Sequence, residues 1–188
     1  MAHQTIRPVL MAALLSASCL TATAQRYFTK SGHIDFSSKA ALENIRAVNK
    51  SVTCVLDTKT GAVQFSVLMK GFSFEKALMQ EHFNENYVES DKFPKAEFRG
   101  TITNNGEIDY SKPGSYTVNV KGLLTIHGVT KPVETSGTIQ VGDGAIQASA
   151  SFQVLVSDYR ISIPAVVRDN VSNTIRIQVS TRLEPLSK

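Results

Sequence analysis

Long stretches of strict two-residue alternation, each closed by a short turn, are the feature that most narrows what this chain can become. Tyr116, Val118, Val120, Gly122, Leu124 and Ile126 hold one parity, while Asn119 and Lys121 hold the other. A β-strand sends successive side chains to opposite faces, so this segment reads as a long strand with one apolar face. The same reading applies to Val52–Leu56, Val63–Met69, Ala96–Ile102, Val133–Val141, Ile146–Val156 and Ile175–Thr181, with Ile34 and Phe36 on an opening strand. Turn chemistry separates these runs: Thr58-Lys59-Thr60-Gly61, Asn104-Asn105-Gly106, Lys112-Pro113-Gly114 and Gly142-Asp143-Gly144. Gly122, inside a strand, suggests a bend or bulge.

Three segments depart from the alternation. Ala40–Val48 reads as a short helix or an irregular crossing. Met79, Phe83 and Tyr87 recur at helical spacing, which predicts a short helix or helical turn covering one end of the sheet. Phe93-Pro94 then restores extended backbone, because the residue before proline avoids the helical region. Beyond Tyr159 lies a less regular crossing that contains Pro164.

About eight strands emerge, mostly joined by short turns. Strands with one apolar face bury it either in a sandwich or in a sheet closed on itself. Closure also removes exposed edges. Whether a barrel of this kind is filled or hollow turns on residue size. Ala96, Gly100, Gly137, Ala148 and Ala150 lie on inward parity and leave room; Phe65, Phe98, Tyr116 and Phe152 can take that room back. Periodicity leaves both outcomes open.

The N-terminus carries its own signal. Arg7, the apolar run Val9–Leu15 and the small-x-small ending Ala22-Thr23-Ala24 describe a secretory signal peptide over residues 1–24. The run is too short for a membrane span of roughly 20 apolar residues. Cys19 offers a lipoprotein route, but Ser16 stands where an aliphatic residue is expected, which disfavours it. Residues 25–188 then form one domain, large enough for a single core and expected in the periplasm. Only Cys54 of the two cysteines remains, so no intramolecular disulfide forms, and its parity marks it as a buried small hydrophobe. The formal charge of +4 falls to about +3 without Arg7, and the basic residues are scattered rather than clustered. That pattern speaks against nucleic acid.

No nucleophile elbow, zincin motif, P-loop or paired CxxC is present, and the chain reads as a non-enzyme without cofactor. Glu81, His82 and Glu85 form the densest polar cluster, yet only the two glutamates share a helical face, and a metal site needs at least three convergent ligands. His127, next to inward-facing Ile126, reads as a solvated turn residue or a rim residue. Phe72 and Phe74 either line an entrance or form core beneath a loop, and the Tyr159 hydroxyl either bonds backbone or meets a ligand.

Two motifs carry a resemblance. Glu89-Ser90-Asp91-Lys92-Phe93-Pro94-Lys95-Ala96-Glu97-Phe98 and Leu124-Thr125-Ile126-His127-Gly128-Val129-Thr130-Lys131-Pro132-Val133 resemble the YceI-like family, with a third echo at Ser157-Asp158-Tyr159. The likeness spans roughly residues 27–184, although the opening Tyr27–Ile34 lacks the family's usual tryptophan. The resemblance implies an all-β fold, an extended eight-stranded antiparallel lipocalin-like barrel with a short helix against one end. It also implies export and an elongated apolar interior for a polyisoprenoid or other long-chain lipid. Parity then assigns the lipid-facing set: Phe65, Val67, Met69, Phe98, Val118, Val120, Leu124, Ile126, Phe152 and Ile177. Transient membrane contact and a homodimer are both compatible with this reading. A filled barrel acting as an envelope interaction protein is the alternative.

Overall fold

A computed structural model describes residues 26–186; the expected signal peptide and Cys19 lie outside the described residues. The strands are β1 (Arg26–Lys39), β2 (Asn44–Asp57), β3 (Ala62–Leu68), β4 (Ser73–Phe74), β5 (Lys95–Ile102), β6 (Gly114–Ile126), β7 (Val129–Gly142), β8 (Ala145–Leu155) and β9 (Thr174–Pro185). One helix, α1 (Ala77–His82), continues into a wide turn over Phe83–Tyr87. All pairings are antiparallel, in the order β1-β9-β8-β7-β6-β5-β3-β2, and β1 also pairs with β2. The sheet therefore closes into an eight-stranded barrel, and the two-residue β4 adds a short ladder beside β2. Closure resolves the choice between sandwich and barrel.

Closure demands curvature, and β1 supplies it at Gly32. Its register slips against β2 on both sides of that glycine, and against β9 between Phe28 and His33. A Cβ at Gly32 would come within 3.0 Å of both Thr181 Cγ2 and the Val52 carbonyl, so a side chain would hold the strands apart. Two hairpins are equally tight. His127-Gly128 (φ 49° and 71°) and Asp143-Gly144 (φ 51° and 69°) each place both turn residues at positive φ. That geometry matches the twist of the strands they join.

Two sequence expectations are corrected. Ala40–Val48 is neither helix nor crossing: the chain turns at residues 40–43 and enters β2 at Asn44, where Ala47 and Asn49 are buried. Its apolar spacing there is that of a strand. Nor is Gly122 a bulge, since pairing runs without a slip through Gly100↔Gly122 and Gly122↔Val133. What the glycine allows is close approach. A Cβ on it would lie 2.5 Å from Gly100 Cα and 2.6 Å from the tip of the Phe98 ring. Phe98 lies across the Gly100–Gly122 pair, filling the space those two residues leave.

The core has two parts. At one end Cys54, Leu56, Val63, Ile102, Ile108, Val118, Ile139, Ile146 and Leu183 are tightly buried and form a plug. The 103–113 loop seals that end. Asn105 donates from Nδ2 to the Thr58 carbonyl at 2.9 Å and accepts from the Tyr110 hydroxyl at 2.8 Å. Ile108 is thereby carried under the barrel. The other end is framed by the 39–44 turn, β4 with α1, and the 156–173 crossing. Gly122→Ala should lower stability by about 1–3 kcal/mol, because the added methyl meets backbone as well as a ring. Gly106→Ala, with nothing within 4 Å of the new Cβ, should stay within about 0.5 kcal/mol. Urea unfolding of the two variants checks this.

Candidate functional site: an apolar cavity open at one end

Above the plug the barrel interior is not filled. A cavity of about 530 Å³ runs up from Leu56, Ile102 and Leu183 to the open end. It exists because small residues face one another where large ones would have met. Gly137 pairs with Ala150 and Ile139 with Ala148, and Gly137, Ala148 and Ala150 all lie on the cavity wall. The Phe98 ring, by contrast, consumes the room left by Gly100. The interior is thus part packed and part hollow.

All ten residues assigned by parity (Phe65, Val67, Met69, Phe98, Val118, Val120, Leu124, Ile126, Phe152 and Ile177) lie on this wall. Alternation carried enough information to place them, because strand parity and closure together fix which face is inside. Other wall residues lay beyond its reach. Ile161, Ile163, Val167 and Val171 come from the aperiodic 160–173 crossing, which folds back over the mouth. Met79, Phe83 and Tyr87, the helical stripe, face the cavity together with Phe72 and Phe74. The aromatic pair therefore both lines the entrance and forms core.

Aromatic packing holds the helical segment in place. Phe83 sits 5.0 Å from Phe74, 5.5 Å from Phe36 and 5.8 Å from Phe72, ring centre to ring centre. Phe36 also meets Phe72 edge-on at 5.2 Å. Such pairs contribute about 0.5–1.5 kcal/mol each beyond the area they bury. Polar bonds support the same segment: Asn84 Nδ2 donates at 2.8 Å to the Gln80 carbonyl, which also accepts from the Phe83 backbone N–H.

His127 is not the solvated turn residue its sequence context suggests. Its side chain is only 12% exposed and is held on three sides. Nδ1 lies 3.1 Å from the Tyr159 carbonyl, Nε2 lies 2.6 Å from Glu89 Oε2, and the Phe93 ring packs edge-on at 4.5 Å. This knot joins three segments distant in sequence: the one after α1, the β6–β7 turn, and the start of the 156–173 crossing. Glu89, His127 and Arg160, which follows Tyr159, all have positive φ (44°, 49° and 58°). Tight local backbone is thus concentrated where these segments meet.

The remaining candidates separate clearly. The structure does not bring Glu81, His82 and Glu85 together as a ligand set; among the described residues no three such side chains are placed to share a metal ion. His82 instead reaches the cavity mouth beside Met79 and Phe83. Tyr159 is buried with its ring on the cavity wall. Cys54 is fully buried at the plug, and burial pushes its thiol up to about 12. It stays protonated and unreactive at neutral pH. Arg99 and Lys121 lie outside the barrel, paired with Glu97 at 3.3 Å and Glu134 at 2.6 Å, and supply no interior anion clamp. Among the described residues no helix is long and apolar enough to cross a membrane.

A closed β-barrel with one sealed end, one open end and an apolar interior has the architecture of small-ligand binding barrels. The chain belongs to the YceI-like domain family, whose pattern it matches over residues 19–183. Solved structures repeat the fold at low sequence identity. A polyisoprenoid binding domain from Saccharophagus degradans, implicated in plant cell wall breakdown, superimposes with a TM-score of 0.74 at 13% identity, covering 86% of this chain and 99% of that one. Burkholderia cenocepacia BcnA gives 0.65 at 15% identity over 81% and 95% of the two chains. The Campylobacter jejuni YCEI protein gives 0.57 at 17% identity over 75% and 85%. No curated protein sequence matches the chain.

The His127 knot makes a pH-dependent contribution. The hydrogen bond from His127 holds the Glu89 carboxyl below its ordinary 4.5, with nearby Lys92 adding to the effect against some desolvation. A lowered carboxyl pKa stabilises the fold above the ordinary value, and that stability is lost as pH falls through the lower, folded value. Glu89→Gln should therefore melt below the wild type in mildly acidic buffer. The gap should close as the buffer is taken below the carboxylate range. Thermal melts across that range check this; a gap independent of pH would show that charge has no part in the link.

Proposed function

We propose that this protein is an exported binding protein that holds a long-chain apolar lipid of the polyisoprenoid kind inside its barrel. The observation that carries the reading is the cavity itself: about 530 Å³, walled by aliphatic and aromatic side chains, sealed below and open above. Its size falls within the range of about 300–1,000 Å³ typical of ligand sites. Each methylene moved from water into such a space contributes about 0.8 kcal/mol. A chain of isoprene units therefore gains along its whole length without any directional contact. The sealed plug favours the tail as the end that enters, while Ser38, Glu43, His82 and Asn170 at the mouth leave a polar head beside other polar groups.

Family membership and the polyisoprenoid binding domain among its structural relatives support this reading. Export rests on the N-terminal pattern of residues 1–24. The role is carriage or sequestration: the cavity wall is dominated by aliphatic and aromatic side chains, and its Cys54 thiol is held protonated by burial.

Native mass spectrometry of protein recovered from its own periplasm, followed by lipid extraction, tests the proposal. A long-chain species released in stoichiometric amount is expected. Ala150→Phe, which places a ring in the cavity beside Gly137, should reduce the bound fraction at least tenfold while the barrel still melts cooperatively. A bare mass that polyprenyl lipids leave unchanged would move the reading to an interaction protein.

A further inference from the structure

The barrel's exposed apolar residues are not spread evenly. Leu42, Leu78 and Val166 are the most exposed of its large apolar side chains, at 74%, 61% and 89%. Each stands on a different segment of the mouth: the 39–44 turn, α1, and the 156–173 crossing. The three segments are tied to one another. Leu42 N donates to the Asp169 carbonyl at 2.8 Å, and Lys76 Nζ bonds Glu43 Oε1 at 2.7 Å. Each exposed residue also adjoins one that lines the cavity, namely Glu43, Met79 and Val167. The three exposed side chains therefore stand at the rim of the cavity, beside residues that line it.

We propose that this lip is a docking surface for a lipid bilayer, and that the barrel takes up its cargo mouth-down on the membrane. The inference rests on the lipid-binding reading above for the cargo, but not for the docking. Single large side chains on separate segments around an opening do not make the contiguous, shape-matched patch that a protein partner requires. They suit a fluid apolar phase, into which each can insert without a matching pocket. The lip also carries charge of both signs, Lys39, Lys76 and Arg168 against Glu43, Glu75 and Asp169, so insertion rather than attraction to anionic headgroups drives the contact. Cargo leaving a bilayer through such a lip passes from one apolar medium to another with little exposure to water.

The test is flotation of the protein with phosphatidylcholine vesicles, with and without phosphatidylglycerol, every preparation sharing one defined N-terminus. Leu42→Ser, Leu78→Ser and Val166→Ser are compared singly and together with Leu123→Ser, an exposed leucine on the outer wall. Each lip substitution should lower vesicle partitioning roughly tenfold, the control should not, and phosphatidylglycerol should change little. Thermal melts confirm that the variants fold. Uptake of a short, water-soluble prenyl alcohol, which needs no vesicle, is measured in parallel and should survive all lip substitutions. Wild-type protein that does not float, or equal losses for lip and control, overturns the docking. So does a lip effect confined to self-association in sedimentation, which would assign the surface to a second copy of this chain. Lip-dependent flotation without prenyl uptake supports docking and overturns the cargo reading.

Discussion

Everything in this molecule follows from β1 pairing on both of its edges. Strands of one-sided hydrophobicity can bury that side in several ways, but a sheet that meets itself has one inside, and strand parity assigns every residue to it. Closure costs curvature, and the slip in register at Gly32 is where β1 accommodates it. Were that position occupied by a side chain, the methyl would press on Val52 and Thr181 together, and β2 or β9 would have to give way by a few tenths of an ångström. The cavity, the plug and the mouth all exist because the ring of hydrogen bonds is complete.

Given closure, side-chain volume alone decides what the interior is. The same device, glycine facing glycine or alanine across a strand pair, serves opposite ends in two places. At Gly100 and Gly122 it admits the Phe98 ring and gives a packed wall. Gly137 and Ala150 are likewise paired, and both lie on the cavity wall. Parity gives neither the size nor the direction of the side chains that meet inside, which is why alternation could predict the wall but not whether the wall enclosed anything.

The legibility of the sequence follows the range of the interactions involved. Residues fixed by backbone period were readable, namely the wall set and the stripe of Met79, Phe83 and Tyr87, and turn composition marked the tight turn at Gly144. The turn at His127-Gly128 was not readable, since residues 127–132 read as a connection to a strand starting at Val133, whereas β7 begins at Val129. Residues fixed by contacts across the chain were not readable either. Glu89 and His127 are 38 residues apart, and nothing in either neighbourhood announces the 2.6 Å bond between them. Ile163, Val167 and Val171 reach the cavity from a segment with no period at all. The misreading of Ala40–Val48 is local in origin, since AALENIRAV combines helix-forming residues with spacing that also fits a strand, and only the pairing with β1 selects the strand.

The cavity also sets the relation between stability and binding. Apolar walls that face empty space forgo the dispersion contacts a filled core would have. Ala148 and Ala150, which keep the space open, are therefore positions where larger residues would strengthen the barrel if stability were all that mattered, whereas a Cβ at Gly137 would meet the Ser149 carbonyl at 2.5 Å. The plug at the other end shows that this fold can pack tightly, with Ile146 and Leu183 almost wholly buried. Hollowness above the plug is then a property of particular small residues rather than of the architecture. An occupant that restores the missing contacts binds the folded state alone, so it stabilises the barrel by mass action in proportion to the logarithm of its concentration over its dissociation constant. A barrel built this way is most stable when loaded, and the aromatic cluster around Phe83, which closes the same space from above, gains its packing partner at the same moment.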